Sequence, residues 1–273
     1  MNPTHSTPPA EGCIDTEVAD GILLIGINRP AKRNGVTPRM MRELAQAYTR
    51  LDDEAGLRVG LLYAAGDHFT GGMDLPSLAP YQQRGERLVP RDMNLVDPLD
   101  LGLPGYRRRT KPVVVAVKGI CFTIGIELML AADMVVAADN CRFAQMEVGR
   151  GIMATSGATI RMAQRAGSGH ALHLLLTGVE FDSAHAQRLN FVQKVVPAGQ
   201  EFAEAFAMAQ RITQQAPLAV IATRLNVRKS IEEGPLSAAA EFIEVQQRLS
   251  QTEDAVEGRL SFIERRPPVF KGR

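Results

Sequence analysis

A chain of 273 residues that is 45% apolar and 22% charged has the composition of a globular protein with a sizeable core, as one large domain or a domain plus a subdomain. Its net charge of +1 gives no field for steering nucleic acid or binding an acidic membrane surface, and no apolar run is long enough to span a bilayer. Three widely spaced cysteines (Cys13, Cys121, Cys141) exclude a disulfide framework and suit a reducing compartment, so the cytoplasm is the expected location; no cysteine pair or histidine group has metal-ligand spacing.

Residues 1–12 are polar and Pro-rich and read as a flexible tail rather than a signal peptide. Ile14–Val18 and Ile22–Asn28 read as paired strands with Asp20–Gly21 as the hairpin signal. Thr37 caps a helix with Pro38 at its first position, and Met41, Leu44, Ala45, Tyr48 and Leu51 fall on one face. Leu57–Ala64 is a buried strand feeding a Gly-rich turn that ends at Leu75. From Pro76 to Gly105 the periodicity dissolves. That stretch reads either as a lid or pocket-forming insert or as a surface excursion, with partial helix over Leu99–Arg109. Arg107–Arg108–Arg109 reads as a solvated helix end, with an anion site as the alternative.

The chain is organised around Lys111–Val148. A β-branched strand (Val113–Val117) leads through a loop into an apolar helix, Ile124–Ala132; strands at Met134–Ala138 and Arg142–Gln145 follow. A small-residue turn (Ala154–Ala158) opens a run of helices: Gly169–Leu176, Ser183–Leu189, Glu201–Gln215, Leu218–Glu233 and Ala238–Ser250, with a strand at Val192–Val196. Strand-rich first and helical later, this order predicts an α/β core of repeated ββα units over 13–197 and a C-terminal helical subdomain over 198–273.

Two carboxylates stand out. Glu127 sits inside the oily helix and Glu147 lies just past a strand; a charge so placed is costly unless paired, protonated or used. The plain readings are a helix carboxylate salt-bridged to an arginine and a surface loop carboxylate. The other reading is a pair converging on one pocket for acid–base chemistry. Two glycine-containing strand-to-helix turns, Gly71–Asp74 and Thr123–Gly125, are structural turns or, facing each other, donors to one oxygen. Cys121 reads as a small buried filler, and Asp67 and His68 as turn residues.

The segments NRPAKRN (Asn28–Asn34), HFTGGMDL (His68–Leu75), KPVVVAVKGICFTIGIEL (Lys111–Leu128), AADMVVAAD (Ala131–Asp139) and RFAQMEV (Arg142–Val148) narrow these choices. In their order, together with Thr177–Pro197 and FIERRPPVFKG (Phe262–Gly272), they resemble the crotonase, or enoyl-CoA hydratase/isomerase, superfamily. The resemblance covers nearly the whole chain. It implies a crotonase-like fold of spiral ββα sheets and an acyl-CoA thioester substrate, with no cofactor beyond the coenzyme A that is part of that substrate. It also implies self-association as a trimer or a dimer of trimers. Carried over by position, it puts the oxyanion-hole N–H groups on Met73 and Ile124 and the catalytic carboxylates on Glu127 and Glu147. The substrate contacts it implies are Ala31, Arg33, Gly71, Gly72, Asp74, Leu75, Gly125 and Thr155, with Lys271 supplied by a neighbouring subunit. The reaction it implies first is hydration of a 2-enoyl-CoA. The alternatives are double-bond isomerisation, C–C bond hydrolysis, and a non-catalytic acyl-CoA or RNA binder. Two segments depart from the family pattern: Thr123–Ile124–Gly125 stands where three glycines are usual, and Ala154–Ala158 replaces a Gly-rich turn.

Overall fold

The structure is a computed structural model, and the residues it describes are 7, 9–85 and 94–273. The proposed N-terminal tail and the middle of the 76–105 insert therefore lie largely outside the described residues. Strands β1 (Cys13–Ala19) and β2 (Ile22–Asn28) form the expected hairpin, with Asp20 (φ 52°) and Gly21 (φ 77°) both left-handed in the turn. Helix α1 (Pro38–Asp53) starts as predicted: the Thr37 hydroxyl accepts from the Met40 N–H. Strands β3 (Val59–Ala64), β4 (Val113–Val117), β6 (Met134–Ala138) and β9 (Lys194–Val196) extend the sheet in the order β1-β2-β3-β4-β6-β9. All pairs after the hairpin are parallel. A small second sheet joins β5 (Ile120–Phe122), β7 (Arg142–Ala144) and β8 (Phe181–Asp182).

Alternation along the strands explains why both faces of the large sheet are oily. Leu23, Ile25 and Ile27 pack with α1 and with α3 (Ile124–Ala131) in the main core. Ile22 and Leu24 point the other way, into a second core closed by Phe202 and Phe206 of α7 (Glu201–Thr213). The Tyr63 ring meets Phe202 edge-on at 5.1 Å between centroids.

Helices α2 (Leu75–Arg84), α4 (Ala158–Ala166), α5 (Ser168–Thr177) and α6 (Ser183–Arg188) precede α7 in the chain; α4 packs on α3 and α5, and α6 on the small sheet and β9. The C-terminal region continues as α8 (Pro217–Glu233), α9 (Pro235–Ala239), α10 (Phe242–Ser250) and α11 (Glu253–Glu264). The single helix expected over Ala238–Ser250 is broken. Pro235 starts a short helix, and bonds from Asn226 and Lys229 of α8 to Ala238 O and Glu241 draw the segment back before α10 begins. Helix α11 was not anticipated, although Thr252 followed by Glu253 and Asp254 is a start signal; its hydroxyl caps the Ala255 N–H.

Leu99–Arg109 is not helical. The Asp97 carboxylate accepts from the Leu99 and Leu101 N–H groups, Asp100, Gly102 and Gly105 have positive φ, and Pro104 donates nothing. Nor do the three arginines form a solvated end or an anion site. Arg107 pairs with Asp53, Arg108 with Asp100 and Glu232, and Arg109, 1% exposed, with Asp133. Arg224 of α8 bridges Asp100 and Asp133, so this buried ionic cluster fastens the 97–109 loop to the C-terminal helices. No helix of the described residues is long and apolar enough to cross a membrane.

Candidate active site

The site forms where two turns leave the sheets side by side. The first follows β3. The Asn34 amide donates to Ala65 O and His68 O, and the Thr70 hydroxyl donates to Asn34 O while accepting from the Gly72 N–H. Val36 then pairs with this turn as a parallel strand would: its N–H reaches Gly72 O at 2.9 Å, and its carbonyl accepts from the Asp74 N–H at 2.8 Å. Residue 73 lies between these two bonds, so its own N–H faces the opposite side. Among the described residues it has no acceptor.

The second turn follows β5 and is clamped to the first by Thr70 N–H to Ile120 O and Phe122 N–H to Thr70 O. The Thr123 N–H is taken by Ala144 O, and its carbonyl accepts from the Ile126 and Glu127 N–H groups. Ile124 is the first residue of α3, so its N–H has no intrahelical partner and carries the positive end of the helix dipole. It too has no acceptor among the described residues. Gly125 lies beneath this turn, where a Cβ would come within 2.6 Å of Thr70 Cγ2; its task is close packing, and it does not line the cavity.

Met73 and Ile124 border a cavity of 540 Å³ whose wall also includes Gly71, Gly72, Leu75, Thr123, Glu127, Glu147 and Thr155. Ala31, Arg33, Asp74 and Lys271 are not on that wall. Arg33 is exposed beside the first turn, its carbonyl accepting from the Gly71 N–H at 2.8 Å, and Asp74 is paired with Arg29. Apolar side chains from both ends of the 76–105 stretch, and Tyr106 just after it, complete the wall: Leu78 and Tyr81 from α2, and Leu99, Leu101, Leu103 and Tyr106 from the loop held by the ionic cluster.

Glu127 is 3% exposed and forms no ion pair with any arginine among the described residues. Oε1 accepts instead from the N–H groups of Ser156 and Ala158, at 2.8 and 3.2 Å. The segment that departs from the Gly-rich pattern therefore holds the carboxylate, a link that sequence spacing did not disclose. Burial raises the Glu127 carboxyl above its ordinary range against the pull of those two amides, and the nearby Glu147 charge pushes it further. Glu147 opens a 3-10 turn after β7. Burial raises it as well, opposed by the Glu147 and Met146 amides. Its Oε2 is buried and has no hydrogen-bond partner among the described residues. Cys121 is fully buried, and burial pushes its thiol well above the usual range, which fits a filler and not a nucleophile.

An apolar pocket lined by two N–H groups without acceptors among the described residues, and by two raised carboxyls, is equipped for proton transfer beside a polarised carbonyl. The comparisons with known proteins agree with that class. A family model described as "Enoyl-CoA hydratase/isomerase" matches residues 17–273. The mevalonyl-coenzyme A hydratase sidH of Aspergillus fumigatus is 30% identical over 270 residues, 98% of each chain. The carnitinyl-CoA dehydratase of Proteus mirabilis is 33% identical over 263 residues, 92% of this chain and 95% of the relative. Among solved structures, a probable enoyl-CoA hydratase/isomerase from Mycobacterium abscessus superposes with a TM-score of 0.90 at 40% identity, covering 95% of this chain and 98% of the other. An enoyl-CoA hydratase from Mycobacterium tuberculosis gives 0.83 at 35% identity, covering 95% and 99%. The chain belongs to the enoyl-CoA hydratase/isomerase family and has the crotonase fold.

Proposed function

We propose that the protein adds water across the double bond of a 2-enoyl-CoA whose acyl group is apolar. The observation that carries this reading is that both glutamates line the same cavity as Met73 and Ile124, whose N–H groups have no acceptor among the described residues. The thioester oxygen sits between those two amides, and charge that builds on it in the enolate-like transition state is stabilised there. Glu127, fixed by Ser156 and Ala158, and Glu147, with Oε2 uncommitted, grip one water. One carboxylate takes a proton as oxygen bonds to Cβ, and the other supplies the proton to Cα. The thioester itself supplies the activation, and the scheme calls for no further cofactor.

Relatives named as hydratases and dehydratases support the reaction type. An isomerase moves one proton and has work for one carboxylate, whereas here the second is buried, held by two backbone amides and on the cavity wall. The leucines and tyrosines of the wall favour an apolar acyl group. Ala31 and Arg33, beside Gly71, are assigned to the CoA moiety, with Lys271 reaching in from a neighbouring subunit. Trimers or paired trimers would cover the C-terminal helices, where Leu236, Ile243 and Phe262 are 86%, 75% and 85% exposed. The three free cysteines suit the cytoplasm. Turnover measured over a panel of straight, branched and aromatic 2-enoyl-CoA thioesters tests the proposal. Hydration of apolar members is expected, and isomerisation without hydration would overturn it.

A further inference from the structure

Thr123 sits in a backbone conformation that its residue type resists. Its φ is 48° and its ψ is −112°, a region open to glycine and strained for a β-branched side chain. The surroundings impose it: the Thr123 N–H and carbonyl are both committed, to Ala144 O and to the first turn of α3. A glycine would satisfy the same bonds without strain. The side chain therefore costs folding free energy that the backbone gives no reason to spend. It does not repay this as a helix cap, for its hydroxyl makes no capping bond and has no hydrogen-bond partner among the described residues.

The position of that hydroxyl offers a reason. A Cβ on Gly72 would come within 2.7 Å of Thr123 Oγ1, so the hydroxyl lies directly over Gly72, the residue whose peptide carries the Met73 N–H. Thr123 is also the residue whose peptide carries the Ile124 N–H, and all four residues border the cavity. Three donors without acceptors among the described residues thus meet at one seam: two backbone amides and one hydroxyl. Resting on the function proposed above, the geometry points to Thr123 Oγ1 as a third donor to the thioester oxygen. It supplements the two amides and, through its contact with Gly72, holds the two turns at a fixed separation. Strain at residue 123 is the cost of placing that hydroxyl.

The test uses the full-length protein and octanoyl-CoA carrying an isotopic label in the thioester carbonyl. Infrared difference spectra of the bound ligand report how strongly that carbonyl is polarised, and kcat and KM for an apolar 2-enoyl-CoA are measured in parallel. In the parent protein the carbonyl stretch should move to lower frequency on binding. If it does not, the oxyanion-hole reading itself fails, whatever residue 123 does. Given the parent's shift, Thr123→Ala should lose part of it and lower kcat by on the order of 100-fold with little change in KM, as for removal of one oxyanion donor. Thr123→Ser should keep both. Thr123→Gly should match the Ala variant in shift and rate while its Tm equals or exceeds the parent's, because the strain is released; it serves in place of the Ala variant should that one prove unstable. An unchanged shift and kcat in the Ala or Gly variant overturns the inference, as does equal loss in Ser and Ala.

Discussion

Oε1 of Glu127 lies 2.8 Å from the backbone nitrogen of Ser156, 29 residues further along the chain. A backbone amide does not titrate, and among substitutions only proline removes its N–H, so this bond sets where the carboxylate points whatever the state of its neighbours. Glu127→Gln keeps an oxygen acceptor in place, and the fold should survive. Activity should not. For Glu127→Gln and Glu147→Gln we expect hydration to fall by roughly 100- to 10,000-fold each, the usual worth of a positioned acid or base. Thioester binding, followed by calorimetry, should change little. Loss at Glu147 alone would mean that a single proton is being moved.

The raised carboxyls carry a cost in stability whose sign is fixed. A carboxyl with a folded pKa above its unfolded value binds protons more tightly in the native state. Its stabilising contribution is complete below the ordinary carboxylate range and is lost as pH rises through the elevated folded value. Glu127→Gln cannot ionise. Its Tm should therefore exceed the parent's above that range, and the difference should close as pH falls into it. A thermal melt series in pH decides.

Asp100 works in the opposite sense. Burial alone would raise its carboxyl, yet Arg109, Arg224, Arg108 and Arg228 together hold it below the ordinary value. The stability it lends is present above that value and lost as pH falls through the depressed one, so acid unfolding should draw on this cluster. Asp100→Ala leaves several buried guanidiniums short of a counter-charge. It should cost about 3–5 kcal/mol in urea denaturation at neutral pH, as when one partner of a buried pair is removed. It should also flatten the acid limb of the stability profile.

Gly72 tolerates no side chain for two independent reasons: its φ is 116°, and a Cβ would press on Thr123 Oγ1. Gly72→Ala should cost about 1–3 kcal/mol from backbone strain alone, with a further loss of turnover as the turns are pushed apart. Adding Thr123→Gly removes the clash but not the φ, so the double variant should recover part of the stability. Because Thr123→Gly also releases strain in the parent, the contact is read from the difference: an equal gain in Tm from Thr123→Gly in the parent and in Gly72→Ala would show that the contact contributes nothing.

If the C-terminal helices are covered by other copies of the chain, Phe242→Glu with Ile243→Glu should shift the assembly toward monomer in sedimentation velocity. These residues are 59% and 75% exposed in the single chain. A parent protein that sediments as a stable monomer at micromolar concentration would remove the basis for the test.

Much of the frame was legible because it rests on local chemistry. Asp20–Gly21 dictates a tight hairpin, Thr37–Pro38 a helix start, and the unbroken apolar run from Ile22 to Ile27 a strand. The segments read wrongly are those decided by partners distant in sequence. Leu99–Arg109 has helix-compatible residues, but Asp97 takes its amides and Arg161 binds Leu99 O and Asp100 O. Arg107, Arg108 and Arg109 are adjacent in the chain, yet their acids come from α1, from the loop itself with α8, and from the residue before β6. The two glutamates could be named from their motifs. What holds Glu127 could not, because the Ser156 and Ala158 amides leave no trace in side-chain identity.

The parts of the pocket are fastened in two different ways. The part with Met73, Ile124 and Glu127 is fixed mainly by main-chain groups, the turn-to-turn bonds and the Ser156 and Ala158 amides, supplemented by the Asn34 and Thr70 side chains. The wall from Leu99 to Tyr106 hangs on side-chain ion pairs centred on Asp100 and Arg224, and its inward-facing residues take no part in that fastening. Substitutions at Leu99, Leu101 or Leu103 can therefore accumulate without disturbing either anchor. If those residues meet the acyl group as proposed, the choice of substrate and the rate of the chemistry can be altered separately, because the two sets of positions are held by different bonds.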